Sequence, residues 1–257
     1  MAIIKRVPHP DEAAILKAAA QQLDAPARRR FGKQLLSLGG LSMLTGCAIT
    51  DNESVETVLA SVSSFNDRVQ GWLFDPNQLA PTYPESMITK PFPFNAYYGE
   101  NEVRQVDERT YTLSVAGKVA APRRWNLAEL RALPQVTQVT RLICVEGWSA
   151  IGKWGGVPFR TFLELNSADL TAKYVGFKCA DDYFTSIDMP TALHAQTQLT
   201  LTYDGQVLPA KYGFPMKLRM PTKLGYKNPK HINEIFVTND YPGGYWENQG
   251  YNWFGGS

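Results

Sequence analysis

The cysteines of this sequence are the residues whose chemistry most needs an explanation. Only three occur among 257 residues, Cys47, Cys144 and Cys179, which is too few for a disulfide scaffold. Cys144 lies in 141-RLICVEGWSAIGKWGG-156, between an apolar run and a segment rich in glycine and tryptophan. From composition alone it could form a disulfide with Cys179, fill a core, or act as a metal ligand or nucleophile. Each of the three histidines stands alone, so a zinc site is poorly supported.

A second candidate for chemistry is the lysine-rich stretch 222-TKLGYKNPKH-231. It combines Lys223, Lys227 and Lys230 with glycine, asparagine and proline, as in a loop that presents backbone N–H and ammonium groups to a phosphate. A solvated basic loop would have the same composition. The chain contains neither GxxxxGK[ST] nor a GxGxxG after a strand. The stretch 92-FPFNAYYGE-100 groups aromatic residues around Asn95, and by itself it is equally compatible with a hydrophobic clasp on the domain surface.

The N-terminal region predicts export. Arg28, Arg29, Phe31 and Lys33 follow the R-R-x-F-x-K pattern of a twin-arginine (Tat) signal. A short uncharged segment follows and ends in 44-LTGC-47, which resembles a lipobox and predicts lipidation of Cys47. Because the Tat route carries folded proteins, it favours a cofactor that is inserted before export. We therefore expect a periplasmic protein that contacts the membrane only through a lipid anchor.

Composition limits the remaining possibilities. A net charge of +2 gives no electrostatic argument for a nucleic-acid partner, and no apolar run reaches the ~18 residues of a membrane-spanning helix. With 44% hydrophobic residues, the chain can form one large or two small domains. We expect three regions: a signal over 1–47, a tether with a proline-rich wrapping segment over 48–91, and the main domain over 92–257.

Strands dominate the pattern of the main domain. They are predicted over 110–119, 136–145, 172–177, 183–187, 217–220 and 232–238, with a hairpin of 197–203 and 206–208. Short helices are predicted over 126–130, capped by Asn126, and over 158–165. The regular βαβ alternation of a doubly wound sheet is absent, so the predicted fold class is α+β. Cys144 is then placed near the end of a buried strand.

These segments together resemble the sulfite oxidase-type molybdopterin-dependent oxidoreductases, and among them the periplasmic methionine-sulfoxide reductases. The likeness covers roughly residues 92–239. Its markers, in order, are FNAYYGE, CVEGWS with the following KWGGVPF, AKYVGF, and YGFPMKLRMPTKLGYKNPKHI. The resemblance implies mixed sheets with short helices around one Mo-molybdopterin per chain, and it makes 92–257 the catalytic domain.

The resemblance also implies roles for particular residues. The motif cysteine maps onto Cys144, which would be the molybdenum ligand and the catalytic residue; a soft thiolate suits such a metal. The pterin contacts map onto Asn95, Tyr98, Gly99, Cys179, Tyr212, Lys217, Asn228, Pro229 and Lys230.

Four of these positions depart from the reductase pattern. Gly99 replaces an acidic residue, Cys179 a threonine, Tyr212 an asparagine and Lys217 an arginine. Lys217 keeps the charge but loses the bidentate fork that arginine offers a phosphate. Cys179, if close to the metal, could tune it or form a disulfide with Cys144 in the apoprotein.

The implied reaction is two-electron oxygen-atom transfer. The direction could be reduction of sulfoxides such as methionine sulfoxide, with electrons from a membrane haem protein, or oxidation of sulfite, with electrons passed to a cytochrome. Arg141 lies on the opposite strand face from Cys144, which disfavours a site for the sulfite dianion. An aromatic rim of Trp148, Trp154, Tyr245, Trp246 and Trp253 favours a thioether-bearing substrate, although these side chains could equally fill a core.

The short chain after 232–238 leaves no room for a dimerisation or haem domain, which predicts a monomer. Reduction of sulfoxides is the favoured activity. The alternatives are a sulfite dehydrogenase and a metal-free exported lipoprotein that uses the same fold for binding.

Overall fold

The computed structural model describes residues 52–257, with side chains from residue 61 onwards. The predicted Tat signal and lipobox, including Cys47, lie outside the described residues. None of the helices in the part that is described is long and apolar enough to cross a membrane.

Strands and short helices alternate along the described chain after one long helix. In chain order the elements are α1 (Asn52–Leu73), β1 (Thr112–Gly117), β2 (Arg123–Asn126), α2 (Leu127–Ala132), β3 (Val136–Ile143), β4 (Ser149–Pro158), α3 (Phe159–Leu165), β5 (Tyr174–Cys179), β6 (Phe184–Asp188), α4 (Met189–Ala192), β7 (Gln198–Tyr203), β8 (Gln206–Val207), β9 (Lys217–Arg219) and β10 (Ile232–Thr238). Single 3-10 turns occupy Glu85–Met87, Glu100–Glu102, Ala210–Tyr212, Gly225–Lys227 and Glu247–Gln249.

The strands form two five-stranded sheets. The first has the order β2-β1-β10-β5-β6, in which only the β1–β10 pair is parallel. The second runs β3-β4-β7-β8, and β9 also pairs with β7. This arrangement of mixed sheets with short helices confirms the predicted α+β class.

Local signals in the sequence account for several elements. At the start of α2 the side chain of Asn126 accepts the N–H of Glu129 (2.9 Å), and the Glu129 carboxylate accepts the N–H of Asn126 (2.8 Å). This reciprocal capping box satisfies two N–H groups that the helix itself leaves unpaired, and it confirms the predicted start. The hairpin of β7 and β8 also turns at Asp204 and Gly205 as predicted, and both have positive φ.

The strand β4 is the main element that the sequence pattern did not predict. From sequence this stretch is only a segment rich in glycine and tryptophan, yet its glycines are required by close packing between strands. A Cβ on Gly156 would lie 2.0 Å from the carbonyl oxygen of Leu199 on β7, at a register shift between Gly155 and Gly156. Only glycine allows the two backbones to approach this closely.

The proline-rich segment after α1 runs along the second sheet. The N–H of Tyr83 donates to the carbonyl of Val139 on β3 (3.0 Å), and that of Thr89 donates to the carbonyl of Ile151 on β4 (2.9 Å). Apart from the single 3-10 turn and one isolated antiparallel bridge between Thr82 and Thr140, the segment is irregular, as its prolines predict. It ends at Phe92, which packs edge-on against the buried ring of Trp154 (5.1 Å between centroids).

Candidate active site

A pocket opens where several irregular segments of the main domain meet. Its walls come from the segment before β1, the turn after β3, the β5–β6 turn, the loop before β10 and the C-terminal segment. The predicted site residues that line it are Asn95, Tyr98, Cys144, Asn228, Pro229 and Lys230. They are distant in sequence, so the tertiary fold brings them together.

Cys144 follows β3 directly and begins the tight turn into β4. Its N–H donates to the carbonyl of Trp148 (2.9 Å), and its carbonyl accepts the N–H of Gly147 (3.1 Å), which has φ +90°. The Sγ atom lies 3.7 Å from a carboxylate oxygen of Glu146, which also accepts the indole N–H of Trp148 (2.8 Å). Burial raises the pKa of the thiol. A cation at the sulfur would oppose that effect and favour the thiolate.

The carboxylate and carbonyl of Asp181 hold two tyrosines on one wall of the pocket. The hydroxyl of Tyr98 donates to the Asp181 carboxylate (2.8 Å), and that of Tyr97 donates to the Asp181 carbonyl. Burial, reinforced by Asp181, raises the pKa of Tyr97 to about 12 and that of Tyr98 further. Both phenols therefore stay protonated at neutral pH. Asp181 was not predicted as a site residue; its only signal was the Asp-Asp turn between two predicted strands.

The loop before β10 is locked by Asn228. Its side-chain oxygen accepts the N–H of Met220 (2.7 Å) and a guanidinium N–H of Arg219 (3.1 Å), while its amide donates to the carbonyl of Leu224 (2.9 Å). Because the side-chain oxygen and amide of Asn228 already form hydrogen bonds within the protein, this side chain fixes the shape of the loop. A ligand that binds beside Asn228 would contact mainly backbone atoms. Next to it, the Lys230 ammonium donates to backbone carbonyls of Asn95 and Lys211.

Buried cationic side chains gather around this loop without carboxylate partners. Lys217 and Lys230 flank the left-handed Gly213, where a Cβ would lie 3.1 and 3.0 Å from their Cβ atoms. Burial lowers the pKa of Lys217 well below its usual value, that of Arg219 to about 9 and that of Lys230 to about 8. None of the three forms a salt bridge within the described residues, and Arg219 Nε and His231 Nε2 are buried without a hydrogen-bond partner. An anion bound here would compensate this charge.

The remaining predicted site residues, Gly99, Cys179, Tyr212 and Lys217, do not line the pocket. Gly99 caps an exposed 3-10 turn, its N–H donating to Glu102 (2.9 Å). Cys179 is buried in the large core at the end of β5, and both Cys144 and Cys179 are free thiols, so the disulfide considered from composition is not formed. Tyr212 is buried against Phe92, with its hydroxyl on the Phe92 carbonyl (2.8 Å).

The aromatic lining differs from the predicted rim. Trp246 lines the pocket as expected, together with Tyr183, Tyr226 and Tyr251. Trp154 is instead completely buried beneath β9, with the Lys217 ammonium 4.9 Å from its ring. Trp148, Tyr245 and Trp253 are partly buried and do not line the pocket. Tyr245 packs against the ring of Tyr97, and the indole N–H of Trp253 donates to the hydroxyl of Ser186. Alternation along β4 places Trp154 on the inner face, and without β4 the sequence could not predict this.

A buried ion pair connects the C-terminal segment to the lysine-rich stretch 222–231, which we call the lysine loop. The Lys227 ammonium contacts the Glu247 carboxylate and donates to the carbonyl of Ser186 (2.7 Å), while Thr185 donates its hydroxyl to Glu247 (2.6 Å). Both charged side chains are at most 1% exposed. Since Trp246 precedes Glu247, this pair positions one aromatic wall of the pocket.

Comparison with known families agrees with this geometry. The model of the oxidoreductase molybdopterin-binding domain matches residues 100–246, more than half of the chain. The chain belongs to this family. It is therefore an oxidoreductase with a molybdopterin-binding domain, and the predicted family is confirmed.

Individual relatives support the same assignment. The chain is 73% identical over 241 residues to a protein of Azospira oryzae with the provisional name protein-methionine-sulfoxide reductase subunit YedZ1, covering 94% of this chain and 92% of that one. Two proteins named protein-methionine-sulfoxide reductase catalytic subunit MsrP, from Burkholderia mallei and Ralstonia nicotianae, are 31% and 30% identical over 56% and 53% of this chain. The chain covers 49% and 46% of the lengths of these two relatives.

A solved structure shares the fold. The sulfane dehydrogenase SoxCD of Paracoccus pantotrophus superposes with a TM-score of 0.51 over 54% of this chain and 40% of that chain, at 17% identity. The likeness confirms the sulfite oxidase-type architecture.

The residues of the pocket fit a molybdenum–pterin group. The free thiol of Cys144 faces the pocket and offers a soft ligand. Lys230 lines the pocket, while Lys217 and Arg219 are buried next to the same loop and outside the lining; together their charges offer what an anionic phosphate and pterin require.

Proposed function

We propose that this protein is a periplasmic sulfoxide reductase that binds one Mo-molybdopterin per chain through Cys144. It would act on small or protein-bound sulfoxides such as methionine sulfoxide. The family match and the reductase names of the relatives support this proposal. The Tat-like motif and the lipobox-like motif ending in Cys47 support export and lipid anchoring.

The residues that would hold the group divide into two sets. The Cys144 thiolate would bind the metal, and Lys217, Arg219 and Lys230 would compensate the anionic pterin and its phosphate. The backbone of the loop at Asn228 and Pro229 would complete the contact, as would Asn95 and Tyr98. When bound, the group supplies two-electron oxygen-atom transfer.

The charge of the pocket lining is the observation that carries the choice of substrate. Among the residues that line it, Glu146 and Asp181 are acidic and Lys230 is the single cation. A site for the sulfite dianion should present several cationic side chains. Arg141, which lies on β3 three positions before Cys144, packs over the ring of Tyr83 instead (5.0 Å) and is absent from the lining.

The protein side of the reaction is then positioning and exclusion of water. A sulfoxide would enter between aromatic walls of Trp246, Tyr226 and Tyr251, where its apolar substituents replace water. Overall, sulfoxide, two electrons and two protons give thioether and water. A membrane haem protein is the proposed electron donor, and we propose that the chain works as a monomer.

The test is an activity comparison in both directions. Protein from a cofactor-competent host is assayed for molybdenum content, for oxidation of a reduced viologen dye by a panel of sulfoxides, and for sulfite-dependent reduction of a cytochrome. We expect stoichiometric molybdenum and sulfoxide-dependent turnover. Sulfite turnover without sulfoxide turnover would assign the opposite direction.

Matched cysteine variants sharpen the result. Cys144→Ala is expected to keep the unfolding transition of the apoprotein and to abolish turnover, whereas Cys179→Ala, at a buried cysteine outside the pocket, should retain turnover. Full activity of Cys144→Ala, or protein that purifies without molybdenum, would contradict the proposal.

A further inference from the structure

The helix α1 docks onto the main domain with its polar face. The Asp67 carboxylate accepts the N–H of Phe254 (2.8 Å), and the side-chain oxygen of Gln70 accepts the N–H of Gly256 (3.4 Å). Gly71 faces the ring of Phe254, which a Cβ there would approach to 3.8 Å. The residues at 67, 70 and 71 follow the i, i+3, i+4 spacing of one helix face. The contact between α1 and the main domain therefore consists of hydrogen bonds to backbone N–H groups and of close approach at the small residue Gly71.

The opposite face of α1 presents large apolar side chains to the outside. Val62 is 50% exposed, Phe65 62%, Trp72 83% and Leu73 66%. At 100° per residue these four positions fall within one stripe, roughly opposite to the docked face. We call Val62, Phe65, Trp72 and Leu73 the outer stripe. A helix in a water-soluble domain normally buries such a stripe and exposes its polar face, so the orientation here is reversed.

We propose that the outer stripe of α1 lies in the interfacial layer of a lipid bilayer, which extends the membrane contact of this protein beyond its lipid anchor. The inference rests on the proposed export and lipidation of Cys47. Asn52, the first residue of α1, lies only five positions after Cys47. An extended chain of that length spans at most about 18 Å, so an anchored Cys47 keeps the start of α1 close to the bilayer surface.

The composition of the outer stripe favours lipid over another occupant. Tryptophan and phenylalanine are the side chains preferred at the boundary of headgroups and acyl chains. From 61 to 73 the only charged residues are Asp67, used in docking, and Arg68. Binding would therefore depend on apolar burial and not on anionic lipid. Because its other face is docked on the main domain, α1 would lie along the membrane surface.

The experiment places Trp72 relative to the lipid. The full chain, isolated with its cofactor and with lipidation measured by mass spectrometry, is mixed with vesicles of phosphatidylcholine that carries brominated acyl chains. Bromine quenches only tryptophan that reaches the acyl region. We expect quenching that disappears in Trp72→Phe. Phe65→Asp should weaken the helix–bilayer equilibrium about tenfold or more, since burying a side chain of this size contributes about that factor.

A matched control separates the helix from general surface hydrophobicity. Val207 on β8 is 55% exposed and outside the outer stripe, so Val207→Asp should leave quenching unchanged. Sulfoxide turnover with dye should be equal in all variants, because these positions do not line the pocket. A failure of lipidation appears in the mass, and a failure of the reductase assignment appears in turnover, so neither can be confused with lost lipid contact.

Three results would overturn the inference. One is equal quenching in the wild type and in Trp72→Phe. Another is vesicle binding that depends on Trp72, appears only after a membrane haem protein is added and brings no bromine quenching, which would assign the outer stripe to a protein partner. The third is a dimer of the wild-type chain that Phe65→Asp dissociates, which would assign it to a second copy.

Discussion

Breaking the buried ion pair between Lys227 and Glu247 should destabilise the protein strongly. In Lys227→Met the Glu247 carboxylate would keep only the hydroxyl of Thr185, in a place where its side chain is 0% exposed. Removing one partner of a buried pair typically costs about 3–5 kcal/mol. For a domain of this size, each kcal/mol shifts the unfolding midpoint by about 2–4 °C, so we expect a fall of roughly 6–20 °C.

The double variant Lys227→Met/Glu247→Leu is the informative comparison. Replacing both charges by apolar side chains of similar size leaves no buried charge, so its loss should be clearly smaller than that of Lys227→Met. Urea unfolding of the apoproteins, followed by circular dichroism, measures both. A cost below about 1 kcal/mol for the single variant, or a double variant that is no more stable than Lys227→Met, would refute the reasoning that the pair is a desolvated unit.

Two further predictions concern the lysine loop and the second sheet. Burial lowers the pKa of Lys230 to about 8 in the folded apoprotein, so the unfolded chain binds more protons than the folded one between about pH 8 and 10.5. The free energy of unfolding of the apoprotein should therefore rise with pH across that window. In Lys230→Met this rise, measured as the urea midpoint at several pH values, should be smaller. Gly156→Ala should destabilise by about 2 kcal/mol or more, since its Cβ would meet the Leu199 carbonyl at 2.0 Å, whereas Gly71→Ala in α1, with 3.8 Å to its nearest neighbour, should be neutral or stabilising in the same thermal melts.

Local structure was predictable where the physical cause is local. The cap at Asn126 and the turn at Asp204 depend on residues within a few positions, so their sequence signals were sufficient. The strand β4 was missed because its glycines serve contacts with β7, which is far along the chain. The tyrosine wall held by Asp181 was missed for the same reason: Tyr98 and Asp181 are 83 positions apart.

The sequence by itself determined the family and the α+β class, because motifs such as CVEGWS are contiguous and need no tertiary information; the metal-binding role of Cys144 is a prediction from the same motif. Tertiary structure alone decided which side chains reach the pocket. In the folded chain Trp154 is buried in a core, Lys217 and Lys230 are buried with no anionic partner among residues 61–257, and the outer stripe of α1 is exposed. Burial and charge balance are sums over neighbours from distant segments, and only the folded chain brings those neighbours together.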